Sequence, residues 1–115
     1  MSLKVISLPS FARDAKKLHK RHKNLPQDLR TLCDVLTHDP HAGIRLTRSL
    51  YKIRLANTSA RSGKSGGFRV IYYFADRQEN LYLLKIYSKS ELTSINENRM
   101  KSILLDHGLE YTEDN

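Results

Sequence analysis

Apolar residues recur every three to four positions up to Pro40, at every second position from Leu50 to Lys89, and every three to four again towards Gly108. Each period predicts its own kind of element. "LKVISLP" (3–9) alternates weakly and ends at a proline, which suits a first strand at a sheet edge. Ser10 is placed to cap a following helix, on which Phe11, Ala15, Leu18 and His22 share one face and Arg13, Lys16, Lys17, Lys20 and Arg21 the other. Asn24 is the next candidate cap, with Pro26 in the first turn. Leu25, Leu29, Leu32, Cys33 and Leu36 then trace a helical stripe that "THDPHAG" breaks at Pro40. Two amphipathic helices with a short joint make a helical hairpin.

The period of two begins with "LYKIRLA" (50–56), which turns Tyr51, Ile53 and Leu55 one way and Lys52 and Arg54 the other. "FRVIYYFA" (68–75) opposes Phe68, Val70, Tyr72 and Phe74 to Arg69, Ile71 and Tyr73. In "LYLLKIYSK" (81–89), Tyr82, Leu84 and Ile86 alternate with Leu83, Lys85, Tyr87 and Lys89. A last helix over 90–107 buries Leu92, Ile95, Met100, Ile103 and Leu104, and Gly108 stops it. The predicted order is β-α-α-β-β-β-α: an α+β domain over residues 1–115, its helices on one face of a mostly antiparallel sheet.

"SGKSGG" (62–67) invites a nucleotide-binding reading. A phosphate-binding loop would need a glycine where Thr58 stands and a helix after Ser65, whereas the next residues read as a strand. The segment belongs instead to "NTSARSGKSGG" (57–67), far longer than the two to five residues of a usual hairpin turn. Its glycines and serines would let Arg61 and Lys64 approach a phosphate chain closely; a solvated loop is the plainer alternative.

Composition sharpens this picture. The hydrophobic fraction of 39% suits a folded globule, the one cysteine, Cys33, excludes an internal disulfide, and no apolar run reaches the length of a bilayer span. A cytoplasmic protein is the simplest expectation. Net charge is +8, unevenly spread: residues 102–115 hold four acids and no Lys or Arg, leaving 20 bases against 8 acids in the rest. That excess is the footprint of a polyanion binder, or of a basic domain with an acidic protein partner. It concentrates on the strand face that carries Lys52, Arg54, Arg69, Tyr73, Lys85, Tyr87 and Lys89. Folding gains nothing from five cations gathered on one face, which points to an anionic occupant; an ordinary solvated sheet face is the alternative.

"LYKIRLA" followed by "GKSGGFRVIYYF" and "LYLLKIYSKSE" resembles the RelE/ParE superfamily of toxins from type II toxin–antitoxin pairs, and the glycine pair before the Arg-Val-Ile-Tyr-Tyr strand is most similar to its HigB-like branch. The resemblance is strongest over residues 50–91. It implies a ribosome-dependent endoribonuclease that cuts messenger RNA without a metal or other cofactor and is neutralised by a cognate antitoxin. Such cleavage uses the ribose 2′-OH as nucleophile. It needs a base to take the proton, cations to stabilise the phosphorane and an acid for the leaving 5′-oxygen. A lysine among like charges can be the base where histidine is missing. The resemblance makes Lys52 the candidate base, Arg54 and Arg69 the transition-state binders, and Lys89 a candidate acid or further charge. Arg61, Lys64 and Lys85 become candidate RNA contacts, with Tyr73 or Tyr87 stacking a base. Ser90 and Ile95 or Asn96 stand where some nuclease members carry Arg and Tyr, a departure that bears on the acid. The rival from the same superfamily is a ParE-like binder of DNA gyrase with no nuclease chemistry, and a degenerate, non-cleaving member is a third option.

Other signals have plainer readings. His19/His22 and His38/His41 have metal-clip spacing but no cysteine or acid cluster beside them, so no metal is expected. Cys33 lies on an apolar stripe as a structural thiol, and Ser90 and Ser94 read as caps. The basic face of the first helix is a solvated surface or a ribosomal-RNA contact.

Overall fold

The computed structural model describes residues 3–59, 67–75, 79–88 and 97–109. The elements run β1 (Lys4–Ser7), α1 (Pro9–His19), α2 (Leu25–His38), β2 (Ile44–Arg45), β3 (Leu50–Leu55), β4 (Phe68–Phe74), β5 (Asn80–Ser88) and α3 (Glu97–Asp106). One five-stranded sheet has the order β1-β5-β4-β3-β2. Only β1 pairs parallel, with β5; all other neighbours are antiparallel. This is the expected α+β arrangement, with a two-residue strand added ahead of β3.

The helical hairpin covers one face. Phe11 and Leu18 of α1 and Leu25, Leu32 and Leu36 of α2 pack on Tyr51, Leu55, Phe68, Val70, Tyr72, Leu81, Leu83 and Ile86. The last helix does not join them. Met100, Ile103 and Leu104 of α3 form a second core with Leu50, Ile71, Tyr73, Leu84 and Tyr87 on the opposite face. The helices therefore sandwich the sheet, rather than sharing one side of it.

A bulge reconciles β5 with both cores. Ile71 faces Lys85 but Tyr72 faces Leu83, so Leu84 is an extra residue in β5. Strict alternation would have grouped Leu84 with Ile86. Instead Leu84 and Tyr87 pack under α3, while Leu83 and Ile86 pack under the hairpin.

The helix ends are fixed by tertiary contacts more than by local caps. Ser10 does not cap α1; its Oγ donates to the Leu84 carbonyl at 2.7 Å, holding the helix start against the bulge. Asn24 precedes α2 without a side-chain cap and instead donates from Nδ2 to the Thr58 carbonyl. Gly108 ends α3 as expected: Leu109 N–H donates to Leu104 O and Gly108 N–H to Leu105 O, with Leu109 buried in the second core. Cys33 is half-buried, and burial, with the Asp34 carboxylate second, pushes its thiol up.

Gly67 accounts for the second glycine of the GG pair. It has φ +70°, and a Cβ there would lie 2.5 Å from the Leu55 carbonyl oxygen of β3. Gly108 shares the φ, but its Cβ would meet nothing within 4 Å. Gly108→Ala should therefore cost only left-handed strain, about 1–2 kcal/mol. Gly67→Ala should lower the melting temperature clearly further, because β3 must move as well; equal melting temperatures for the two variants would contradict this.

The Tyr72 phenol is buried at the other end of the sheet. It donates to Pro40 O at 2.8 Å and accepts the Gly43 N–H at 3.0 Å, stacked on Tyr51 at 5.0 Å. Burial pushes it up to about 12, against the opposing effect of the Gly43 bond and with smaller increments from Tyr51 and Asp39. A raised phenol favours the neutral folded form, so its contribution is present below the unfolded value near ~10 and is lost as pH rises towards 12. Alkaline titration of stability should show a fall of about 2–3 kcal/mol over that window. Tyr72→Phe should flatten it, at a neutral-pH cost of about 1–3 kcal/mol.

Candidate nucleic-acid interface

Cross-strand pairing brings the cations together in two adjacent rows. Arg54 of β3 faces Arg69 of β4, which faces Tyr87 of β5. Beside them, Lys52 faces Ile71, which faces Lys85. Both rows lie on the α3 side of the sheet, where their apolar members, Ile71 and Tyr87, are buried in the second core. Arg54 is exposed, and Lys52 and Arg69 are half-exposed. Directly opposed side chains in an antiparallel pair have Cβ atoms about 5 Å apart, and like charges there are destabilising. The two guanidinium groups so opposed repel each other, and the Arg54–Arg69 pair concentrates positive charge at one point of the surface. Arg69 donates from Nη1 to the Phe68 carbonyl at 3.4 Å, which orients its guanidinium along the strand.

The other predicted site residues divide. Lys85 reaches Asp14 of α1, its Nζ 3.1 Å from Oδ2, with both side chains 21% exposed. The ammonium approaches out of line for a hydrogen bond, so the contact is an ion pair rather than an aligned bond. Lys85 therefore anchors α1 as well as adding charge. Tyr73 and Tyr87 were expected to stack a base, but both rings are core. Tyr73 is 3% exposed, against Tyr82, and Tyr87 is 7% exposed. Neither offers a free ring face in this arrangement, which corrects the stacking role. Burial raises the Tyr87 phenol, partly opposed by the nearby Arg69 charge. Arg61, Lys64 and Lys89 lie outside the described residues.

A group that sequence reasoning overlooked holds the exit of β3. Asp28 is 3% exposed and accepts two bonds from Thr58: the backbone N–H at 3.1 Å and Oγ1 at 2.6 Å. Asn57 Nδ2 lies 3.0 Å from His22 Nδ1, and Ser59 Oγ accepts the Asn24 N–H at 2.9 Å. The polar run 57–59 is thus tied to the α1–α2 corner before the long connection begins. An acidic residue one turn into α2 carried no such signal, since the same residue also suits a helix N-terminus.

Chemically, the rows can hold a phosphodiester. Phe68 begins β4 directly after Gly67, so the strand–helix arrangement of a phosphate-binding loop is absent. Among the described residues no three His, Cys, Asp or Glu side chains could hold a metal ion, and no helix is long and apolar enough to cross a membrane. His22 is turned edge-on to Phe68, and His41 lies with Nδ1 2.7 Å from the Tyr51 hydroxyl.

No family model matches the chain. Its architecture does have a solved counterpart. A structure of the E. coli toxin RelE, an arginine-to-alanine double mutant in the free state, superposes with a TM-score of 0.58 at 18% identity, over 95% of this chain and 100% of that one. The chain has the RelE fold. At that identity the likeness speaks for architecture: the hairpin on one face of the sheet and the element order from β1 to α3.

Proposed function

We propose that this protein is the toxin of a type II toxin–antitoxin pair, a ribosome-dependent endoribonuclease that stops translation by cutting messenger RNA. The observation that carries the reading is the direct opposition of Arg54 and Arg69, with Lys52 in the next row. An anionic pentavalent phosphorane converts that unfavourable juxtaposition into a favourable one. The shared fold with a protein named as a toxin, and the HigB-like strand motifs, support the same reading.

In the proposed reaction, Lys52 takes the 2′-OH proton and the 2′-oxygen attacks phosphorus. The new bond is 2′-O–P, and the bond to the 5′-oxygen breaks, giving a 2′,3′-cyclic phosphate and a 5′-OH. Arg54 and Arg69 hold the non-bridging oxygens, and Lys89 is the candidate donor of the proton to the 5′-oxygen. Arg61 and Lys64 would add phosphate contacts. Neutralisation by a cognate antitoxin follows from the same reading, and the cationic face suits an acidic segment of it.

Expression without an antitoxin tests this. Protein synthesis should stop before DNA replication slows, with primer-extension breaks inside translated reading frames that vanish when initiation is blocked. A ParE-like gyrase poison would instead induce the DNA-damage response and trap cleaved DNA while messages stay intact, and that outcome would end the nuclease reading.

A further inference from the structure

We propose that the groove between α1 and β5 takes the continuation of the RNA single strand held on the Arg54–Arg69 row, so that one strand passes round the sheet edge onto α1. The proposal rests on the reading of that row as an RNA site.

The groove exists because β1 is short. It pairs with β5 only as far as Ser7 against Leu83, and the chain then enters α1 at Pro9. Ser10 pins the helix start to Leu84. Beyond that point α1 crosses beside the remaining edge of β5, leaving an open groove of about 290 Å³. Leu18 and Ile86, both buried, form its base, and Lys17, Arg21 and Lys85 rise around it. Among the described residues that line it the one acid, Asp14, lies 3.1 Å from Lys85, so of these residues Lys17 and Arg21 set the charge. Both are exposed: Lys17 stands in the last turn of α1 and Arg21 in the turn just after its end at His19, and both line the groove.

Continuity selects the occupant. Tyr87 lines the groove and is also the cross-strand neighbour of Arg69. The groove and the cationic row therefore share Tyr87 as a wall, with Arg69 on one side of it and Lys17 and Arg21 on the other. A single-stranded phosphate backbone, with a regular charge and a flexible path, fits this turn round an edge; positive grooves that track such a backbone are the usual form of single-strand binding.

The test uses the full chain and 2′-O-methyl oligouridylates, which lack the nucleophile and cannot be cut. Fluorescence anisotropy is followed against salt for a strand of about ten nucleotides and for a trinucleotide. Lys17→Glu with Arg21→Glu should weaken the longer strand on the order of tenfold and reduce the salt slope by about 1.4, as expected for two lost phosphate contacts. Trinucleotide binding, confined to the row, should stay unchanged, whereas Arg54→Ala should weaken both. Should charge reversal unfold the protein, Lys17→Gln with Arg21→Gln gives the same comparison with a smaller loss. The inference falls if the longer strand binds the variant as it binds the parent, or if both lengths weaken equally. It also falls if only an oligoglutamate peptide loses affinity, which would make the groove a site for an acidic protein segment. Length-dependent loss in a protein that cuts no message on ribosomes would end the proposed function and leave the groove standing. Cleavage with an indifferent groove would do the reverse.

Discussion

Arg69→Ala is expected to lower single-turnover cleavage of ribosome-bound message by about 10²–10³, the usual effect of removing one preorganised donor to a developing oxyanion. It should do so without unfolding the protein. Arg69 sits in the middle strand, directly opposite Arg54, so the substitution relieves a like-charge pair worth about 0.2–1 kcal/mol while leaving the ladder intact. Some of that relief offsets the lost packing of the long side chain, and thermal unfolding should shift little. The informative result is the combination: cleavage lost, stability kept, and growth arrest on expression abolished. A folded Arg69→Ala protein with undiminished toxicity would remove the cationic row from the chemistry.

Lys52→Ala combined with Arg54→Ala should eliminate the breaks within reading frames, since the base and one arm of the phosphate clamp go together. The combined loss should be smaller than the product of the single losses, because groups acting on one transition state are not additive. Lys52→Arg separates the two roles that Lys52 can have. It keeps the positive charge but cannot take up a proton at neutral pH, so a general base should lose about 10²–10⁴ in rate while message binding persists. If Lys52→Arg cleaves as well as the parent, Lys52 contributes charge alone and the base lies elsewhere. Both variants are read on programmed ribosomes, with kcat and KM taken separately.

How far these residues could be read from sequence depends on how local their causes are. The hairpin helices and the last helix from Glu97 on declared themselves through three- to four-residue periodicity, and Gly108 marked its stop, because those signals act within one turn; the expected earlier part of that helix, 90–96 with Leu92 and Ile95, lies outside the described residues. The Arg54–Arg69 row was legible because a cation every second residue among β-branched and aromatic neighbours has few other places to go. The rest depends on partners remote in the chain. "YLLKIY" is apolar at too many successive positions for alternation to reveal where its phase slips, so the bulge at Leu84 and the swap of Leu83 and Leu84 between cores were hidden. The aromatic alternation that suggested stacking platforms fits core packing equally well, and α3 decides it by lying over Tyr73 and Tyr87. Ser10 had the ordinary look of a cap, yet its hydroxyl is taken by a strand carbonyl. Asp14 and Asp28 carry no signal of their own in the sequence, because their partners, Lys85 and Thr58, are brought to them only by the fold.

The extra residue in β5 also sets a rule for how this strand can vary. Leu81 and Leu83 before Leu84 and Ile86 after it face the hairpin, while Lys85 and Tyr87 face the side of the cationic row. Deleting Leu84 would therefore remove the bulge without a change of phase, because Leu83 already faces Tyr72 and Lys85 already faces Ile71. Lys85, Ile86 and Tyr87 would keep their faces, and the loss would be the Leu84 side chain from the second core. A single insertion or deletion elsewhere in β5 would instead turn every residue beyond it to the opposite face, so the bulge is the one place where the length of this strand can change by a residue with both cores kept.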